Sequence, residues 1–153
     1  MKSLELRIPP LALTFLFALV MYGVSWAVPY GWVHVPAKTV VASGMALLGG
    51  LVALVGVIEF RRNNTTVNPM SPSGSSALVS SGIYRYSRNP MYLGFLLMLV
   101  GWSIYLANSF TVLFLPLFVM YMNQCQIRPE ERVLEEVFGH RFQAFKVSVR
   151  RWI

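Results

Sequence analysis

The chain has 153 residues, of which 56% are hydrophobic and only 12% charged, and it carries a formal net charge of +7. A soluble domain is about 25% charged and about 45–50% apolar, so the composition excludes an ordinary soluble fold and argues against disorder. A single cysteine, Cys125, excludes an internal disulfide framework and a multi-cysteine metal site.

Crossing a hydrocarbon core about 30 Å thick takes roughly 20 mostly apolar residues in a helix. The first such run extends from Ile8 to about Val28 without a charge and closes at the turn Pro29–Tyr30–Gly31–Trp32. Lys2 and Arg7 precede it as they would a signal peptide, but we read it as a retained first span. A second run, from about Thr39 to Ile58, ends at Glu59, Arg61 and Arg62. The third begins at Met91 and reaches about Leu106, Ala107–Asn108–Ser109 forms a tight connection, and a fourth continues from Phe110 to about Met122. The last two are short for full spans, which suits a tilted helical hairpin. Ala42, Ala46 and Gly50 in the second span, with Gly94 and Gly101 in the third, form smooth ridges for close helix packing.

The basic residues lie between apolar runs, which points to a membrane surface and not to nucleic acid. Four spans place Lys2, Arg7, Arg61, Arg62, Arg85, Arg88, Arg128, Arg132, Arg141, Lys146, Arg150 and Arg151 on one side and leave only Lys38 opposite. The positive-inside rule then predicts that both termini and the 61–90 loop are cytoplasmic, in the plasma membrane if the source is bacterial. Trp26, Tyr30 and Trp32 form an aromatic belt at the outer interface, and His34 lies beside them.

Between Arg61 and Pro90 the composition turns to Ser, Asn, Pro and Gly. A connector of about 30 residues is long for a compact protein, and such loops are often functional. Pro90 suits the opening of a helix, whose free N–H groups favour an anionic group. Arg128–Pro129–Glu130–Glu131 reads as a further helix start, with carboxylates at the positive dipole end. Val133, Leu134, Val137 and Phe138 form an apolar stripe, Gly139 breaks it, and Phe142, Phe145 and Val149 resume it. Basic residues opposite that stripe predict a helix lying among the headgroups.

Taken together, ALVSSGIYRYSRNPMYLG, the short apolar hairpin and EERVLEEVFGHRFQAFKVSVRRW, covering roughly Ser76 to Arg150, resemble the isoprenylcysteine carboxyl methyltransferase and phospholipid methyltransferase superfamily. The resemblance implies an all-α polytopic membrane protein with about four transmembrane helices and a C-terminal amphipathic interfacial helix. It implies S-adenosyl-L-methionine as cofactor, with S-adenosyl-L-homocysteine as product. The residues matching the family's cofactor site are Ser76, Ala77, Leu78 and Val79, largely through backbone groups, then Tyr84, Asn89, Pro90, Met91, Tyr92 and Glu130. Chemically, a carboxylate and aromatic faces suit the cofactor's amine and sulfonium, and Arg88 suits its carboxylate. Asn89 stands where the isoprenylcysteine enzymes usually carry histidine, and asparagine hydrogen-bonds but does not titrate near neutral pH. Gln126 stands about where the eukaryotic enzymes place a substrate-contacting arginine, with Arg128 two residues on.

The implied activity is methyl transfer to a lipophilic acceptor entering from the bilayer, either isoprenylcysteine carboxylate-like or phospholipid-like. Expected partners are membrane lipids and a lipophilic or lipidated substrate, with neither nucleic acid nor metal. Glu131 and Arg128 are the candidate catalytic residues, Glu131 as a general base if its pKa is raised. The rival readings are an NADPH-dependent membrane reductase of the sterol-reductase-like type and a non-enzymatic scaffold. One membrane domain is expected over 1–153: a helical hairpin (1–60), a cofactor loop (61–90), a second hairpin (91–125) and an interfacial tail (126–153).

Overall fold

The computed structural model describes residues 8–62 and 78–153. Lys2, Arg7, Ser76 and Ala77 therefore lie outside the described residues. The helices are α1 (Pro10–Ala27), α2 (Lys38–Arg62) and α3 (Pro90–Leu106), then a run from Ser109 containing α4 (Phe114–Tyr121) and α5 (Arg128–Phe138), and finally α6 (His140–Ser148). Three of these stretches, α1, α2 and Ser109–Phe138, are long and apolar enough to cross a membrane. The 17 residues of α3 rise only about 25 Å at 1.5 Å per residue, so α3 is the short member of the set. The protein is an all-α, polytopic integral membrane protein. Its exposed apolar side chains, among them Leu11, Phe15, Leu47 and Leu51, suit a lipid surrounding.

Helices α2 and α3 make the closest pair. Ala42, Gly49 and Gly56 are the buried residues of α2, spaced by seven, and they match Gly94 and Gly101 of α3 at the same spacing. A Cβ on Gly94 would lie 2.5 Å from the Gly49 carbonyl oxygen, and one on Gly101 would lie 2.8 Å from that of Ala42. The expected Ala42–Ala46–Gly50 ridge is thus corrected at Gly50, where an added Cβ meets nothing within 4 Å. Eight residues advance a helix by about 80° beyond two turns, whereas seven return it to nearly the same face.

At one end of the bundle the two short connections meet. Val33 donates its backbone N–H to Ala107, and Trp32 bridges to Asn108. Asn108, 2% exposed, donates through Nδ2 to the Val28 carbonyl at 2.9 Å and accepts from the Phe110 N–H at 3.0 Å. Its replacement by alanine removes both bonds, leaving the Phe110 N–H without its acceptor and the Val28 carbonyl with only the Gly31 N–H. The expected cost is about 1–3 kcal/mol, read as a lower unfolding temperature in lipid nanodiscs.

The opposite end holds a departure from the sequence expectation. Arg128–Pro129 does not start a new helix; Ile127 and Arg128 are both helical, and the chain passes through a π-helical turn, Met122–Ile127, into α5. Pro129 explains the turn, because its ring crowds the carbonyl four residues back, at Cys125, and it lacks an N–H to give. The wide turn relieves that clash without breaking the helix. Glu130 and Glu131 consequently sit within a continuous helix and do not complement a free helix end. The apolar part of this run ends at Ile127, and the charges at Arg128, Glu130, Glu131 and Arg132 carry the rest out of the hydrocarbon.

Gly139, at φ +53°, separates α5 from α6 and turns the chain back onto the bundle. Phe142, Phe145 and Val149 are then buried with Val79 and Tyr84, and Leu134 and Phe138 pack against them. Much of the stripe expected to lie among headgroups thus covers the segment that leads into α3, while Val137 stays exposed.

Candidate functional site

Ser81–Arg85 reaches the base of α2 through a specific contact. The Ser81 hydroxyl donates to Glu59, and Gly82, at φ +56°, lets the backbone pass where a Cβ would lie 2.7 Å from the Glu59 carboxyl carbon. This fixes the short helical turn Gly82–Arg85, which buries Tyr84 edge-on to Phe60, with ring centroids 5.2 Å apart. The chain then enters α3 at Asn89–Pro90, which brings Tyr92 beneath α5.

Phe60, Tyr84, Arg88, Asn89, Met91, Tyr92 and Glu130 line a narrow cleft with about 210 Å³ of empty space, part of it open to solvent. Three parts of the chain that are far apart in sequence, at Phe60, at 84–92 and at Glu130, meet here. The Tyr92 hydroxyl donates to Glu130 Oε2 at 3.0 Å, which leaves the other carboxylate oxygen available. Burial pushes the Glu130 carboxyl up to about 7, against the Tyr92 hydrogen bond, which lowers it, and with a further upward push from Glu131. Burial, then the Glu130 and Glu59 carboxylates, hold the Tyr84 hydroxyl well above its ordinary value, so it stays protonated.

Arg88 carries the least satisfied group. Its Nη2 pairs with Glu131 Oε1 at 3.1 Å, but Nε and Nη1 are buried with no hydrogen-bond partner among the described residues. Burial lowers the guanidinium's pKa, Glu131 raises it and Arg151 lowers it, and the group remains charged. The Tyr84 hydroxyl is likewise buried and unpartnered. An orphaned buried donor costs about 1–3 kcal/mol, more at a charged group, so such groups in one cleft call for an acceptor.

Other sequence candidates are placed differently. Val79 is 5% exposed within the α6 core, and Leu78 packs against the same cluster. Neither side chain lines the cleft. Pro90 is buried and faces Gly56. Asn89 is at the cleft, but its Nδ2 donates to the Arg151 carbonyl at 3.0 Å. Glu131 has both oxygens engaged: Oε1 by Arg88 and by Arg151 Nε (3.1 Å each), Oε2 by Arg151 Nη2 (2.6 Å). Arg128 is exposed and donates to Gln124 Oε1 at 2.6 Å. Gln126, fully buried in the π-helical turn, donates through Nε2 to the Ile8 carbonyl at 2.6 Å, while its Oε1 has no partner among the described residues.

Sequence reasoning missed Phe60 and Glu59, which had read only as the end of the second span. Their one signal is an acid and an aromatic together at the close of an apolar run; nothing local links them to a turn more than 20 residues on.

The phospholipid methyltransferase family model matches residues 37–141, a stretch running from the start of α2 past every side chain that lines the cleft. An uncharacterized protein of Haemophilus influenzae is 43% identical over 63 residues, 41% of this chain and all of that protein. Protein-S-isoprenylcysteine O-methyltransferase A of Arabidopsis thaliana is 28% identical over 105 residues, 69% of this chain and 53% of the relative. Protein-S-isoprenylcysteine O-methyltransferase of Schizosaccharomyces pombe is 25% identical over 108 residues, 71% of this chain and 46% of the relative. The chain thus spans about half the length of the isoprenylcysteine methyltransferases it matches. No solved structure matches it. With more than half its length under the family model, the chain belongs to the phospholipid methyltransferase family, within the superfamily shared with the isoprenylcysteine carboxyl methyltransferases.

Proposed function

We propose that the protein is a membrane methyltransferase that uses S-adenosylmethionine and methylates a lipophilic acceptor reaching the cleft from the bilayer. The observation that carries this reading is one cleft offering opposite charges with unmet bonding capacity: a carboxylate at Glu130, and guanidinium and hydroxyl donors at Arg88 and Tyr84. An amino-acid moiety presents the complement, an ammonium and a carboxylate a few bonds apart. Only about 20 Å³ of the cleft is wide enough for water, against the about 300–1,000 Å³ typical of small-molecule pockets, so the lining side chains would have to part to admit that end of the ligand.

When bound, the cofactor would supply an electrophilic methyl group on a sulfonium. Arg88 would hold its carboxylate, Glu130 its ammonium, and the faces of Phe60, Tyr84 and Tyr92 the cationic region. These residues position and exclude water, which is most of what an in-line transfer requires. A carboxylate or thiolate acceptor needs no proton removed. We assign Glu131 to holding Arg88, since its oxygens are already engaged by two guanidinium groups.

We place the cleft on the cytoplasmic side. Arg85, Arg88, Arg128, Arg132, Arg141, Lys146, Arg150 and Arg151 gather at its end of the bundle, while Lys38 lies at the other. The test is titration of the purified protein in nanodiscs with S-adenosylhomocysteine and, separately, with NADPH. Binding of the first alone is expected. Saturable binding of NADPH alone would replace this reading with a reductase.

A further inference from the structure

The segment after α6 is stitched to the mouth of the cleft at four points. The Arg88 N–H donates to the Arg150 carbonyl at 3.0 Å, and Asn89 Nδ2 donates to that of Arg151 at 3.0 Å. Arg151 grips Glu131 through Nε and Nη2, and Trp152 Nε1 donates to Asn123 Oδ1 at 3.2 Å. Trp152 also packs against the buried cluster that contains Tyr92. None of these residues lines the cleft except Arg88 and Asn89.

Glu131 is the pivot of this arrangement. It is held from one side by Arg151 and holds Arg88 from the other through a single nitrogen, Nη2. That leaves Nε and Nη1 of Arg88 without a partner among the described residues, although both are buried. A long, rotamer-rich side chain keeps unpartnered donors in one direction only if something fixes its far end, and the ion pair does so.

We infer that Arg151 is a positioning residue. Acting through Glu131, it sets the Arg88 guanidinium so that its two unpartnered nitrogens meet the carboxylate of the bound ligand. The inference rests on the methyl-donor reading above and adds a part of the chain that lies outside the matched 37–141 region.

The test compares two probes, S-adenosylhomocysteine and its decarboxylated analogue, by titration of the full chain in nanodiscs. Arg151→Ala is expected to weaken the first about tenfold and leave the second within about twofold, since the lost contact is one charged hydrogen-bonding interaction. Arg88→Ala should bring the two probes to equal affinity. Arg151→Lys, a milder change that keeps the charge but not the two-pronged grip, should give an intermediate loss, again confined to the carboxylate-bearing probe, and serves if the alanine variant does not fold. Equal weakening of both probes by Arg151→Lys and Arg151→Ala would reduce Arg151 to a merely structural prop and overturn the inference. So would no change in either. Failure of the unaltered protein to bind S-adenosylhomocysteine at all would instead remove the methyl-donor reading on which the inference stands.

Discussion

Glu130→Gln is expected to weaken S-adenosylhomocysteine about tenfold or more at pH 8, and to flatten a pH dependence that the unaltered protein shows. Burial raises the Glu130 carboxyl to about 7, so the group is largely protonated at pH 6 and largely ionised at pH 8. A ligand ammonium is held by the ionised form, so affinity should climb over that interval, by at most about tenfold per pH unit below the carboxyl's pKa. Tyr84 stays protonated and Arg88 stays charged throughout, so the slope belongs to Glu130.

Stability should move the opposite way. A carboxyl whose pKa is raised on folding imposes no penalty below the ordinary carboxylate range. The penalty grows as the pH rises to about 7 and is constant beyond. Glutamine still accepts the Tyr92 hydroxyl, so the variant should unfold at a higher temperature than the unaltered protein at pH 8 and lose that advantage near pH 4. Titration at pH 6, 7 and 8, with thermal unfolding at both extremes, checks the pair of effects. An unchanged binding slope in the variant would show that Glu130 does not meet the ligand's charge.

The second large effect lies in the α2–α3 seam. Gly94→Ala introduces a Cβ 2.5 Å from the Gly49 carbonyl oxygen and 2.7 Å from the Ala53 nitrogen, both of them backbone atoms that no rotamer change can move. The helices must separate, and the expected loss is about 1–3 kcal/mol. Since α3 carries Tyr92 in its first turn and Arg88 lies just before it, ligand affinity should fall along with the unfolding temperature. Gly50→Ala and Gly44→Ala are the controls, because an added Cβ at either meets nothing within 4 Å. Helix propensity alone then favours alanine, by up to about 1 kcal/mol. Equal behaviour of Gly94→Ala and Gly50→Ala in nanodisc melts would mean that the seam is not the tight contact described.

The spans were legible because hydrocarbon imposes its condition locally. About twenty apolar residues bounded by charges are visible in one dimension. Pairing of Tyr92 with Glu130 was reachable only through resemblance to a family, since no rule of spacing brings residues 38 apart into contact. Two readings failed for physical reasons. A four-residue ridge looked smooth at Gly50, but helical drift turns that residue outward. Arg128–Pro129 looked like a start signal, but a π-helical turn carries the helix across it.

The sequence by itself determined that this is a helical membrane protein with several apolar spans, because hydropathy acts on each segment independently of its neighbours. Only the tertiary structure decided which polar groups share a cleft, which of them are already partnered and which are left open. Those are properties of distance and burial, and they come into being when Glu59, Tyr84, Arg88, Glu130, Glu131 and Arg151 are brought together from separate parts of the chain.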